Sequence, residues 1–286
     1  MKESVGGLLR PGILQDSGRA LILFEAMRLK NEVALITGSG RGIGREIAKL
    51  FAQEGAAVFL TARTEAELAT TAGEIVLAGG AAAYLPGDLG SEADCRAFAA
   101  RAEATFGRVD ILVNNGGHYG PVAPVEEYPI AEFDKVLAVH LRAAFLLSQL
   151  VLPGMYQRKH GVILNISSVS AKAAFSWGSA YAAAKAGLLG LTRYSAAEAA
   201  RKGVRVNAIC PGPVTETAMS KELGAELARK LNVGKEQQLA GFLNAILQGR
   251  AQTAREIAEA ALFLCCEQAG AITGQSVNVD GGIVFG

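Results

Sequence analysis

The sequence predicts an α/β protein: a single doubly wound domain with a parallel seven-stranded sheet and helices on both faces. Three observations predict it. After Asn31, short runs rich in Val, Ile and Leu alternate with longer stretches at helical spacing. Most of the short runs are nearly all apolar rather than alternating, as strands covered on both faces are. No linker, low-complexity tract or repeat breaks the alternation, so residues 27–286 read as one domain.

Residues 1–26 stand apart as an N-terminal extension. They carry scattered acids and one short apolar piece, Ala20 to Phe24, without the long apolar core and cleavage site of a secretory signal. The extension is expected to lie outside the main domain, to be helical and to pack at an interface. Met27, followed by "RLKNEVALITG", looks like an alternative start. The regular pattern opens with "VALIT" (33–37), a glycine-rich turn to residue 44 and a helix over 43–54. "AAVFLT" (56–61) gives a second strand and 65–78 a helix, then "AAAYLPG" (81–87) a third strand and 92–106 a helix. "DILVNN" (110–115), a helix over 131–151, "GVILNIS" (161–167) and a helix over 179–201 follow. "VRVNAI" (204–209), a long connection over 215–249, a helix over 255–266 and "SVNVD" (276–280) complete the chain. Parallel strands joined this way need right-handed crossovers, which set helices on both faces.

Composition narrows the function. Lys plus Arg number 28 and Asp plus Glu 27, so no global charge points to nucleic acid or an anionic membrane. No apolar run free of charge, Gly or Pro is long enough to cross a bilayer. Cys95, Cys210, Cys265 and Cys266 lack zinc spacing and read as buried thiols, which suits a reducing, cytoplasmic setting. His118, His140 and His160 lie in different segments without ligand spacing, so no metal site is expected.

Ligands in such a sheet bind beyond the carboxyl ends of the strands. The informative residues fall there: Gly38–Gly44, Arg63, Asp88, Asn114–Gly117, Ser168 and Pro211–Thr217. In "TGSGRGIG" (37–44), Gly38, Gly42 and Gly44, with Ser39 and Ile43 between them, allow a tight turn that approaches a pyrophosphate. At the end of the second strand, where a free ribose 2′-hydroxyl usually finds a carboxylate, the chain has Ala62 and Arg63, and Arg41 sits inside the glycine turn. Two guanidiniums with no acid suit a 2′-phosphate, so NADP(H) is favoured over NAD(H). Further on, Tyr181 and Lys185 stand four residues apart and share a helix face.

Seven motifs in order carry a resemblance: "TGSGRGIG", "GDL" with Asp88 and Leu89, "NNGG" (114–117), Ser168 thirteen residues before Tyr181, "YAAAK", "NAICPGPV" (207–214) and "ITGQSVNVDGG" (272–282). The chain resembles the short-chain dehydrogenase/reductase (SDR) family over roughly Asn31 to Gly282, and looks most like its 3-oxoacyl-(acyl-carrier-protein) reductases. The resemblance implies a Rossmann-type fold and an NAD(P)-dependent oxidoreductase acting on a small ketone or alcohol, a 3-oxoacyl thioester among the candidates. It implies that Tyr181 is the general acid, that Lys185 lowers its pKa and holds the nicotinamide ribose, and that Ser168 holds the substrate oxygen. Ser167 reads instead as a strand-end hydroxyl satisfied by backbone. Asp88 would meet the adenine, Asn114 would brace the sheet beside the cofactor with Gly116 next to it, and Pro211, Gly212, Val214 and Thr215 or Thr217 would hold the nicotinamide. Homo-oligomers, dimers or tetramers, through the helices near 131–151 and 179–201 are implied as well.

Three features depart from the family pattern. "AVHLRAAF" puts His140 where the family has an Asn assigned to holding a water in a proton relay. An imidazole also donates and accepts, so His140 stands as a candidate relay residue beside its reading as a satisfied core histidine. Gly116 replaces an alanine and, being smaller, should matter little. "PGPVTETAM" carries one extra residue before its Met, which leaves Thr215 and Thr217 both open. Residues 215–249 are expected to form a lid, with "KELGAELARKL" helical, that lines an apolar pocket with His118, Tyr119, Phe175 and Trp177. The competing reading is a non-catalytic dinucleotide-binding sensor. The joint presence of Ser168, Tyr181 and Lys185 favours the enzyme.

Overall fold

The computed structural model describes residues 9–16 and 19–285, with side chains from Met27 onward. Leu9–Asp16 (β1) and Arg19–Ala26 (β2) pair antiparallel, Asp16 opposite Arg19 and Leu9 opposite Ala26, as a two-stranded sheet separate from the main one. The helix expected in the extension is therefore corrected to a hairpin over the described part. Pro11 and Gly12 oppose a helix there, and Ile13 and Ile22, which face each other in the register, suit paired strands. Residues 1–8 lie outside the described residues.

The main sheet comprises β3 (Val33–Thr37), β4 (Ala57–Ala62), β5 (Ala81–Pro86), β6 (Ile111–Asn114), β7 (Gly161–Ile166), β8 (Val204–Pro211) and β9 (Ser276–Val279). All neighbours pair in parallel, as the sequence predicts, and the order is β5-β4-β3-β6-β7-β8-β9. The chain steps outward from β3 to β5, then returns to β6 on the other side of β3. That reversal opens a crevice between the two at the carboxyl edge.

The helices are α1 (Gly42–Gln53), α2 (Glu65–Leu77), α3 (Glu92–Phe106), α4 (Ile130–Leu137), α5 (Ala143–Arg158) and α6 (Ser179–Ala199), then α7 (Ala218–Leu231), α8 (Lys235–Leu243) and α9 (Ala254–Cys265). Strand residues alternate between two cores. Ala34, Ile36, Val58, Leu60, Ile111 and Val113 meet Ile47, Leu68 and Ile257 of α1, α2 and α9 on one face. Leu35, Phe59, Leu112, Ile163 and Val206 meet Phe98, Leu147 and Ala196 of α3, α5 and α6 on the other. Both faces are apolar, which is why the strands read as unbroken apolar runs.

One result departs from the sequence reading. The helix expected over 131–151 is a continuous path from Ile130 to Arg158, widened by a π-helical turn at Ala138–Arg142 that holds His140. By length and composition alone this path could cross a membrane, yet Arg142, Pro153 and Gly154 interrupt it. Here it is a core helix: Leu146, Leu147, Val151 and Met155 are buried against the sheet. At the far edge from the crevice, the Asp110 carboxylate accepts from the Val33 N–H at 3.0 Å and Arg108 Nε at 2.8 Å, with Arg158 Nε at 3.5 Å. His160 meets Glu32 beside it at 2.9 Å. This charged staple joins the starts of β3, β6 and β7.

Candidate active site

The carboxyl edge of the sheet opens into one continuous cleft of about 980 Å³, the upper end of the usual range for ligand pockets. At one end lies the glycine turn, where Gly38 and Gly42 hold left-handed backbone at φ 65° and 58°. A Cβ on Gly38 would stand 2.6 Å from the Gly116 Cα, so only glycine lets these two loops meet. Asn115 Nδ2 fixes the turn by donating to the carbonyls of Thr37 at 2.9 Å and Gly38 at 3.2 Å. Helix α1 begins there with no side-chain cap and no acid in its first turn. Gly40, Arg41, Gly42 and Ile43 line the cleft. An uncapped helix start with free amides, flanked by two arginines, fits a dinucleotide pyrophosphate.

In the middle of the cleft, β7 and α6 bring three polar side chains to one wall. The Ser167 hydroxyl donates to the Lys185 carbonyl at 2.9 Å, pinning α6 to the end of β7. Ser168 Oγ accepts the Ser170 N–H at 3.1 Å, which leaves its own proton to donate, and its nearness pulls the Tyr181 phenol downward. The Tyr181 ring stacks on Tyr119, centroids 4.9 Å apart, and meets His140 edge-on at 5.3 Å. Lys185 Nζ lies 5.5 Å from the Tyr181 ring centroid and donates to the Ile166 carbonyl at 2.7 Å. Burial pushes the Tyr181 phenol up to about 12, against the downward pull of Ser168. Burial takes the Lys185 ammonium down to about 7. Both shifts follow from enclosing a charge in apolar surroundings.

His140 is buried behind this wall. Its Nε2 lies 2.7 Å from the His118 carbonyl and 3.2 Å from the His118 N–H; the shorter contact favours the tautomer with the proton on Nε2, which leaves Nδ1 an acceptor. Burial first, and the Lys185 charge second, hold it well below the usual imidazole value, so it is neutral. Among the described residues, His140 Nδ1 and Asn114 Oδ1 are both buried acceptors without a protein partner. Both residues, with Lys185, border one small internal cavity.

The expected cofactor residues divide. Gly38, Arg41, Gly42, Ile43, Arg63, Asp88, Leu89, Gly116, Pro211, Gly212 and Val214 line the cleft. Thr217, rather than Thr215, lines it, and its hydroxyl caps α7 by accepting the Ser220 N–H at 3.2 Å. Ser39 and Gly44 do not line it, which corrects their expected place; Asn114 does not line it either and braces the sheet. Ser39 is buried beneath the turn, donating to the Ile36 carbonyl and accepting the Thr61 N–H, each at 3.0 Å. Gly44 packs under the turn, where a Cβ would collide with the Gly38 carbonyl. Asn114 ties β6 to β7, donating to Asn165 Oδ1 at 2.9 Å. A Cβ on Gly116 would meet a Leu89 methyl, the far end of a flexible side chain that can turn aside.

Glu67 is among the cleft residues that the sequence does not single out. Glu67 lines the same end as Arg41, its Oε1 3.6 Å from Arg41 Nη1. The expectation of two guanidiniums with no acid is corrected accordingly. Glu67 lies in the first turn of α2, four residues after Arg63. A helix starting at a strand end over the glycine turn brings its first turn onto that turn, and this was the available signal.

The other end of the cleft is apolar. Tyr119, Phe175, Trp177 and Phe242 line one side, and Met219, Leu223, Leu227 and Leu231 recur every four residues along α7 on the other. Phe175 meets Phe242 at 6.4 Å, and Lys230 Nζ stands 5.9 Å from the Trp177 ring, so both lid helices touch the loop before α6. Glu132 and Lys135 also line the cleft, paired to each other at 2.7 Å.

Comparison with known proteins places this geometry. A family model described as enoyl-(acyl carrier protein) reductase matches residues 38–284. An uncharacterized oxidoreductase of Bacillus subtilis is 38% identical over 89% of this chain and 98% of its own. The 2-(S)-hydroxypropyl-CoM dehydrogenase 3 of Xanthobacter autotrophicus is 38% identical over 90% of this chain and 98% of its own. Among solved structures, a variant actinorhodin polyketide ketoreductase with NADPH superposes with a TM-score of 0.84 at 36% identity, covering 88% of this chain and 97% of that one.

Proposed function

This chain belongs to the short-chain dehydrogenase/reductase family, and on that footing we propose that it reduces an uncharged, apolar ketone with NADPH, a 3-oxoacyl thioester among the candidates. The observation that carries the reading is the convergence of Ser168, Tyr181 and Lys185 on one wall between a nucleotide-shaped end and an apolar end of a single cleft. NADPH, when bound, supplies the hydride. The residues do the rest. The Tyr181 hydroxyl gives its proton to the carbonyl oxygen. Ser168, its oxygen already engaged by Ser170, turns its proton toward the same oxygen and stabilises the charge growing there. Lys185, in its protonated form, makes the phenol a stronger acid. The aromatic and leucine walls exclude water and favour a substrate body without charge.

NADPH consumption, with NADH in parallel, tests this against a β-ketoacyl thioester, a diketone, an aryl ketone, a quinone and a keto sugar. Turnover of an apolar ketone is the expected result. Activity confined to the keto sugar would sink the substrate class. Arg63 stands exposed at the nucleotide end, free to fork onto a 2′-phosphate. Arg63→Asp is expected to raise the KM for NADPH about tenfold, the worth of a charge-assisted bond, and to move preference toward NADH. An unchanged ratio would refute the 2′-phosphate contact.

His140 takes a positioning role in the same reading, supported by its unpartnered Nδ1 beside the cavity that Lys185 borders. It would guide protons to Lys185 without touching substrate. His140→Ala is expected to lower kcat about tenfold and to reshape the pH profile, with His140→Asn recovering much of the loss. Equal rates for His140→Ala and the parent at every pH would make His140 structural.

A further inference from the structure

Arg41 is engaged before any ligand arrives. Its Nη1 stands 3.6 Å from Glu67 Oε1. Glu67 also lies over the glycine turn: a Cβ on Gly40 would be 2.9 Å from Glu67 Cβ and 3.1 Å from its Oε2. Arg41, Arg63, Thr64 and Glu67 all line this end of the cleft. The two paired side chains are 60% and 34% exposed, so the bond is a weak one that a stronger anion displaces.

We propose that Glu67 is a latch on Arg41 that restrains selectivity for a 2′-phosphate, so that the cleft accepts both phosphorylated and unphosphorylated nicotinamide dinucleotides. The inference rests on the reading that this cleft takes such a dinucleotide. A phosphate monoester carries between one and two negative charges near neutrality and takes an arginine in fork geometry. To gain Arg41, a 2′-phosphate has to draw the guanidinium off Glu67 and settle beside the carboxylate it leaves behind. A 2′-hydroxyl requires neither step, and a nearby carboxylate accepts its hydrogen bond. A pair of arginines alone would discriminate strongly for the phosphate; the same pair with Glu67 beside Arg41 discriminates less. Glu65, two residues earlier on α2, carries the same charge and does not line the cleft, as residues two apart on a helix face different ways.

Calorimetric titration with 2′,5′-ADP and 5′-ADP tests this without any turnover. Glu67→Gln is expected to raise the affinity ratio of 2′,5′-ADP to 5′-ADP about fivefold to tenfold, the effect of removing one like charge a few ångströms away. The gain shrinks as salt rises. Glu65→Gln, which removes an equal charge nearby, is expected to leave the ratio unchanged. In an Arg41→Ala background the gain from Glu67→Gln is expected to fall by more than half. Glu67→Ala, checked for folding by circular dichroism, repeats the measurement should the glutamine form a new bond to Arg41. An unchanged ratio in both Glu67 variants overturns the latch, as does a gain that survives in full without Arg41. Failure of both nucleotides to bind the parent protein would overturn the dinucleotide reading itself.

Discussion

Tyr181→Phe is expected to lower kcat/KM for ketone reduction by about 10³-fold, within the range that general acid catalysis contributes, while NADPH still binds. The substitution removes one oxygen and keeps the ring. The stack on Tyr119 at 4.9 Å and the edge contact with His140 at 5.3 Å both survive, so the wall of the cleft holds its shape. What is lost is the proton. His140 cannot replace it, because burial holds the imidazole neutral and its Nε2 is committed to the His118 carbonyl. Ser168 is too weak an acid to give up its proton outright, though it can still donate a hydrogen bond. Tyr119 is the nearest other phenol, and burial raises its pKa as well. Single-turnover NADPH oxidation at saturating cofactor, with NADPH binding measured separately, reads the two effects apart. A variant that keeps more than a tenth of the parent rate would move the proton donor elsewhere, and Tyr119→Phe would then be the variant to make.

Much of this was legible in the chain because the cause was local. A strand buried on both faces must be apolar throughout, so "VALIT" and "GVILNIS" announced β3 and β7 directly. The Tyr181–Lys185 spacing fixed a shared helix face before any coordinates. What stayed hidden depended on contacts between distant segments. Ser39 and Gly44 sit in the right motif, yet one is buried by Ile36 and Thr61 and the other by the turn's own carbonyl. Motif membership does not separate residues that build a turn from residues that face its ligand. The π turn at His140 has no sequence period to betray it, since one extra residue per turn leaves a buried apolar helix looking unchanged. Glu67 was overlooked for a related reason. The acid was sought at the strand end, and the fold supplies one from the first turn of the next helix.

Lys185→Met is expected to remove most of the activity and, at the same time, to make the folded chain more stable at pH 7. Lys185 is 4% exposed and its ammonium is taken from an ordinary 10.5 down to about 7 by burial. The folded state therefore disfavours the charged form that the unfolded chain prefers. The sign follows from proton counts. Below pH 7 both states are protonated and the full burial cost weighs on folding. Between about 7 and 10.5 the folded chain has shed the proton that the unfolded chain still holds, so stability rises with pH across that window. At about 1.4 kcal/mol per pH unit, the gap sets a ceiling of about 5 kcal/mol. Methionine removes this cost and fills the space, but leaves the Ile166 carbonyl without the 2.7 Å bond it accepted. That loss is worth about 1–3 kcal/mol. A net gain of about 2 kcal/mol remains, a rise in Tm of several degrees for a chain of this size. The gain should fade between pH 7 and 10, as the parent chain escapes its own cost. Meanwhile, on the role proposed for Lys185, the parent's reductive kcat/KM should fall as pH rises past about 7, because the protonated form is lost there. Thermal melts at pH 7 and 9.5 on both proteins, beside the pH–rate profile of the parent, carry the test. A methionine variant less stable than the parent by the same margin at both pH values would mean that Lys185 stays charged and well solvated in the fold. The catalytic wall would then be held by its ammonium, and would not be a site that trades stability for chemistry.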